Sequence, residues 1–190
     1  MDKNTLIIFD CFGVIFEEIA PPFFRNHFEE ETAAILKEKY FVPADLGEIT
    51  RDELFDRMSA ELGMKKEDIL REWDELTRFR PYMAPVIERL GEKYDIALLS
   101  NAPLGFVEEI FEKNNLTRLF DKMFVSANLK MAKPDPAFYM YCVNSFGKRY
   151  DKIYMIDDSP KNLEKLHEIG ITPVLFTDVD SMLASLGEKP

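Results

Sequence analysis

The pattern of apolar and polar positions changes texture along the chain. Residues 5–9 (Thr5, Leu6, Ile7, Ile8, Phe9) form a short continuous apolar run, the pattern of a strand buried on both faces. From about Glu17 to Tyr82 the chain is charged and amphipathic, with no comparable run. From about Ala84 onward, short apolar runs return at Ile96–Leu99, Met123–Val125, Ile153–Ile156 and Pro173–Phe176. Between them Leu104–Asn114, Ala137–Phe146 and Lys161–Ile169 have helical spacing. Alternating strands and helices predict a parallel sheet with helices on both faces, an α/β fold.

The charged stretch reads as several helices. One is expected over Phe23–Tyr40. Thr50-Arg51-Asp52-Glu53 has the form of a capping box, in which Thr50 accepts from the Glu53 NH and Glu53 reaches back. Leu54, Phe55, Met58 and Leu62 then share a face, and Gly63 ends the segment. Ile69, Leu70, Trp73 and Leu76 form the stripe of a further helix. Residues 17–82 are therefore expected to form an inserted helical domain, and residues 1–16 with 83–190 the strand-and-helix core. The Met and aromatic residues of the insertion are read as packing.

A length of 190 residues, with 46% hydrophobic residues, suits one domain with a sizeable insertion and excludes a disordered chain. Cys11 and Cys142 make neither a disulfide framework nor a zinc spacing, which points to a reduced, intracellular setting. The net charge of −11 argues against a nucleic-acid partner, which would call for a basic stripe. Leu6–Phe9 stops at Asp10, far short of a signal segment or a membrane span, so a soluble cytoplasmic protein with no membrane partner is expected. An acidic surface suits a monomer or weak homodimer.

The unusual polar residues sit at strand ends. Asp10 ends the first run, Ser100-Asn101 the second and Asp157-Asp158 the fourth. In a parallel sheet these ends share one edge, where ligands bind. Taken singly, each has a plain structural reading. Asp10 could be a turn residue, Ser100 and Asn101 could cap the helix near Leu104, and Asp158-Ser159-Pro160 resembles a helix start. Together they gather carboxylates that repel one another unless a cation neutralises them, and oxygen ligands of this kind suit Mg²⁺. Lys133, stiffened by Pro134, would add a fixed positive charge where most lysines are merely solvated. His27 and His167 are read as surface or satisfied residues, and Cys11 as a buried, inert thiol.

Asp10-x-x-Gly13-Val14, Leu99-Ser100-Asn101, Lys133-Pro134 and Ile156-Asp157-Asp158-Ser159 resemble the four ordered motifs of the haloacid dehalogenase-like hydrolase superfamily. Gly47-Glu48-Ile49-Thr50 and the helix after it look similar to the cap of glucose-1-phosphatase-like members. The resemblance covers nearly the whole chain. It implies a mobile helical cap over a Rossmann-like core and a Mg²⁺-dependent phosphatase of a small phosphorylated metabolite, a sugar phosphate among the candidates. Asp10 would be the nucleophile, forming an aspartyl-phosphate that water hydrolyses. Asp10, the backbone carbonyl of Phe12, Asp157 and Asp158 would hold Mg²⁺. Ser100 and the NH groups around Asn101 would hold phosphate oxygens at a helix N-terminus, and Lys133 would stabilise charge on the transferring group.

One position departs from the family's pattern. Its phosphatases commonly carry a second Asp two residues after the nucleophile as general acid and base, and here that residue is Phe12. Such help is worth ~10²–10⁴ in rate. A donor from the cap could replace it, with His27, Glu17 and Glu18 as candidates. Two other readings follow from Phe12. One is a metal-independent 2-haloacid dehalogenase-type hydrolase, against which the Asp157-Asp158 pair argues. The other is a non-catalytic phosphate-binding or regulatory protein, which would have no need of Asp10.

Overall fold

The computed structural model describes residues 3–189. The sheet is built from β1 (Thr5–Phe9), β2 (Asp95–Ser100), β3 (Lys122–Val125), β4 (Lys152–Asp157) and β5 (Thr172–Leu175), all parallel in the order β3-β2-β1-β4-β5. The central strand β1 pairs Leu6 with Asp95 on one side and Ile153 on the other.

Alternation sends the side chains of each strand to two separate cores. Ile7 and Phe9 of β1, Ile96 and Leu98 of β2 and Ile156 of β4 join one apolar cluster. Leu6, Ile8, Ala97, Leu99 and Met155 join the other. Helices α5 (Met83–Gly91), α6 (Phe106–Lys113) and α10 (Val179–Leu186) bury their stripes in the first. Helix α8 (Pro136–Ser145) and short α9 (Pro160–Leu163) cover the second. Both faces are thus covered, which is why every buried strand reads as a run of apolar residues.

Between β1 and α5 lie four helices, α1 (Ala20–His27), α2 (Glu30–Asp45), α3 (Arg51–Leu62) and α4 (Lys66–Leu76). The expected single helix over Phe23–Tyr40 is two. Phe28 and Glu29 are extended, and Glu29-Glu30-Glu31 opens a new helix with acidic residues in its first turn, where the macrodipole favours them. The break lets Phe23 and Phe24 of α1 and Tyr40 and Phe41 of α2 face one core. The capping box at Thr50 forms, with the Glu53 NH donating to Thr50 Oγ1 (3.2 Å) and the Thr50 NH to Glu53 Oε2 (2.8 Å). Gly63 closes α3 in the left-handed region. On α4, Ile69 and Trp73 are buried, whereas Leu70 turns outward.

The helical spacing over Lys161–Ile169 also resolves into two pieces, α9 and a 3₁₀ turn at Leu166–Ile169. The Tyr139 hydroxyl donates to the Asn162 carbonyl (2.7 Å), taking the acceptor that a continuous helix would use. None of the described helices is long and apolar enough to cross a membrane.

Candidate active site

Strand pairing delivers the acidic groups to one edge. The Asp10 NH donates to the Ile156 carbonyl (2.9 Å), extending the β1–β4 ladder one residue past the strand. Asp157 ends β4, and its carbonyl accepts from Phe176 (2.9 Å). Lys133 comes from the loop between α7 (Ser126–Leu129) and α8. Asn101, just after β2, holds that loop through both ends of its amide. Its Nδ2 donates to the Lys133 carbonyl (2.9 Å), and its Oδ1 accepts from the Lys133 NH (2.8 Å).

The ammonium of Lys133 sits 2.7 Å from Asp10 Oδ1 and 2.7 Å from Asp157 Oδ2, a buried triad. Burial opposes the charge on Lys133, but the two carboxylates outweigh it and hold the lysine above its ordinary value. Burial and the neighbouring Asp157 charge push the Asp10 carboxyl up, against the pull of Lys133. Asp157 is the most heavily bonded of the acids, since Ser159 NH (2.9 Å) and Asn162 Nδ2 (3.0 and 3.1 Å) also donate to it. Asp158 is pushed up to about 6 by burial, then by the charges of Glu18 and Asp157.

Asp10, Asp157 and Asp158 each offer a carboxylate oxygen, and these lie within 4.8 Å of one another. Hard oxygen donors at this separation fit Mg²⁺. Gly13 is shaped to the same cluster. It has φ +80°, and a Cβ there would fall 2.1 Å from Asp158 Oδ2. Because Lys133, Ser159 and Asn162 already engage Asp157, Asp158 is the freer partner for a cation.

The remaining expected residues divide. Ser100 is wholly buried at the end of β2, and its Oγ has no hydrogen-bond partner among the described residues. The helix expected to start near Leu104 begins at Phe106, so Ser100 and Asn101 stand outside its N-terminus. The Ala102 NH is taken by Ser126 Oγ (3.0 Å), and the Asn101 amide positions Lys133. The Phe12 ring stacks on Phe106 at 5.7 Å. Cys11 is buried, and burial together with the Asp10 charge pushes its thiol up, as an inert cysteine requires. His27 is bonded to Glu72 (2.7 Å), and His167 is exposed.

Asp10, Phe12, Asn101, Lys133 and Asp158 open on a cavity of about 390 Å³. Its opposite wall is the insertion: Lys37, Glu38, Phe41 and Asp45 of α2 and Trp73 of α4. Glu38 reaches across to Lys161 of α9 (3.5 Å). Sequence reasoning missed Asp45, a lone acid between Ala44 and Leu46 at the end of a helix, whose local sequence matches no catalytic motif. The sequence reads Phe41 and Trp73 as packing. They do stack on each other (5.1 Å), and they line the cavity as well.

The family model of haloacid dehalogenase-like hydrolases matches residues 5–170. Among characterised proteins, the chain is 24% identical over 147 residues to the drimenol cyclase drtB of Aspergillus calidoustus, covering 74% of this chain and 28% of that protein. It is 26% identical over 136 residues to a phosphoglycolate phosphatase of Aliivibrio fischeri, covering 71% of this chain and 57% of the relative. It therefore spans between about a quarter and somewhat over half of these two relatives. Against the sesquiterpene phosphatase astK of Aspergillus oryzae it is 23% identical over 175 residues, covering 90% and 89%. The HAD family enzyme bt-2542 of Bacteroides thetaiotaomicron shares the fold with a TM-score of 0.78 at 22% identity, covering 96% of this chain and 98% of that one. That enzyme has also been solved in complex with magnesium and inorganic phosphate. A match running from β1 into the turn before β5 takes in all four motifs, and on it this chain belongs to the haloacid dehalogenase-like hydrolases.

Proposed function

We propose that the protein is a Mg²⁺-dependent phosphomonoesterase acting on a small phosphorylated metabolite, with Asp10 as nucleophile. The observation that carries this reading is the convergence of three carboxylates within 4.8 Å beside the Lys133 ammonium, at the floor of a cavity of about 390 Å³. The names of the relatives, phosphatases of a small acid and of a terpenoid, support it.

In this reading Asp10, the Phe12 carbonyl, Asp157 and Asp158 hold Mg²⁺. Bound there, it supplies a Lewis acid that offsets the repulsion between Asp10 and an anionic phosphoryl group. An Asp10 oxygen attacks phosphorus while the ester oxygen leaves with the bonding pair, giving an aspartyl-phosphate that water hydrolyses. Lys133, fixed by Asn101, lies ready to balance charge on the equatorial oxygens. Ser100 Oγ, buried and unpartnered, has hydrogen-bonding capacity for a phosphate oxygen. Residues 17–82 act as the cap, with α2 and α4 closing the cavity over the strand ends. Phe12, Phe41, Trp73 and Phe106 offer ring faces to the carbon skeleton of the substrate, a sugar phosphate among the candidates.

Hydrolysis of p-nitrophenyl phosphate tests the proposal. Release of nitrophenolate should require Mg²⁺, stop with EDTA and fall to background in Asp10→Asn. Turnover that survives either change would overturn it. Phe12 favours a second reading, a metal-independent 2-haloacid dehalogenase-type hydrolase. Chloride release from 2-chloropropionate in EDTA would establish that reading instead.

A further inference from the structure

A phosphatase with phenylalanine two residues after its nucleophile must find a proton for its leaving alkoxide elsewhere. The acids facing the cavity can be sorted by what already occupies them. Asp10 and Asp158 belong to the cation cluster, and Glu38 pairs with Lys161 (3.5 Å). Glu17 is exposed and lies outside the cavity wall, and His27 is held by Glu72 (2.7 Å). Glu18 lines the cavity, half-buried, but neither of its carboxylate oxygens is both buried and unpartnered. Asp45 is different. It lines the cavity from the last residue of α2, and its Oδ1 is buried with no hydrogen-bond partner among the described residues.

We propose that Asp45 is the general acid and base of this enzyme, supplied by the inserted helices in place of the residue that Phe12 displaces; the inference rests on the phosphatase reading above. When Asp10 attacks phosphorus, the P–O ester bond breaks and its electron pair stays on the leaving oxygen. That oxygen takes the proton of the Asp45 carboxyl, leaving as an alcohol. The Asp45 carboxylate then accepts a proton from the water whose oxygen attacks the aspartyl-phosphate. Inorganic phosphate departs, Asp10 returns as carboxylate, and Asp45 is again protonated.

Two features hold Asp45 in place and protonated. Gly47, two residues on with φ +65°, lies so close to the core that a Cβ would fall 2.6 Å from the Ala127 carbonyl oxygen. The end of α2 is therefore seated against α7, the short helix that follows β3. Burial pushes the Asp45 carboxyl up to about 7, with Lys37 and Lys133 opposing and Glu18 assisting. The negative end of the α2 dipole acts in the same direction as burial. The other charged groups lining the cavity are Glu38, on the same helix, and Asp10, Asp158 and Lys161 on the facing wall.

The test compares p-nitrophenyl phosphate, whose leaving group departs without a proton, with benzyl phosphate, whose alkoxide needs one. In Asp45→Asn, first-turnover release of benzyl alcohol should fall at least about a hundredfold and that of nitrophenolate less than about tenfold; single-turnover rates isolate the leaving-group step from hydrolysis of the aspartyl-phosphate, which both esters share. In the wild type, turnover of benzyl phosphate alone should decline as pH rises above about 7, because the acid loses its proton. That second measurement does not depend on the variant folding. Equal losses on both esters in Asp45→Asn would overturn the inference, as would a leaving-group-dependent loss in Glu18→Gln instead. A wild type active on p-nitrophenyl phosphate but inert to benzyl phosphate would overturn it while sparing the phosphatase reading. A wild type inactive on both would remove that reading and the inference with it.

Discussion

Asp45 and Lys133 show how a single side chain takes its chemistry from its surroundings. Lys133 is among the most buried charges of the molecule, and it is tolerated because two carboxylates meet it at 2.7 Å. Asp45 has no such partner, and its ionisation opposes folding. Its folded value of about 7 lies above the unfolded 3.8, so the folded state binds the proton more tightly. Asp45→Asn should therefore match the wild type in stability below about pH 4. It should gain on the wild type as pH rises to about 7, and keep an advantage on the order of 2–4 kcal/mol above that. Urea denaturation of the metal-free proteins across that range measures it, and a constant difference would mean that Asp45 is no more perturbed than a surface acid.

At the scale of elements, the site depends on close approaches that only glycine permits. Gly13 in the turn after β1 and Gly63 at the end of α3 both have positive φ (+80° and +67°), but a Cβ meets Asp158 at the first and nothing within 4 Å at the second. Both alanine variants should lose about 1–2 kcal/mol from left-handed strain. Gly13→Ala should in addition bind Mg²⁺ at least tenfold more weakly by titration calorimetry, with Gly63→Ala unchanged. Equal Mg²⁺ affinity in the two would separate Gly13 from the cation site. The four inserted helices were foreseeable as helices because their stripes and the Thr50 capping box are local. Their division at Phe28-Glu29 was not, since it is set by which faces must reach a shared core.

Across the whole molecule, one apolar cluster runs from Ile7 and Phe9 of the sheet through Phe106 to Phe23, Phe41 and Trp73 of the insertion. Shared packing of this kind couples the insertion to the core, so thermal unfolding should be a single transition by far-ultraviolet and tryptophan signals alike. At the Mg²⁺ site proposed above, the ion at 100 times its dissociation constant should add about 2.7 kcal/mol of stability, and Asp158→Asn should abolish that gain. Two separated transitions would show an insertion that folds on its own.

The sequence by itself determined the layered α/β fold and the sheet edge at which the acidic residues gather. A strand buried on both faces needs a continuous apolar run, and the acidic residues that close such runs in a parallel sheet necessarily share an edge. It also identified Asp10, Lys133, Asp157 and Asp158 as a group, since opposite charges at those ends have a physical reason to meet. Tertiary structure alone decided the division of labour within that group: Asn101 holding the Lys133 loop, Asp157 engaged by three other donors, and Asp158 left freer beside Gly13. It alone brought Asp45 to the cavity, because burial and the loss of partners are properties of a packed environment that no residue carries in its own neighbourhood of chain.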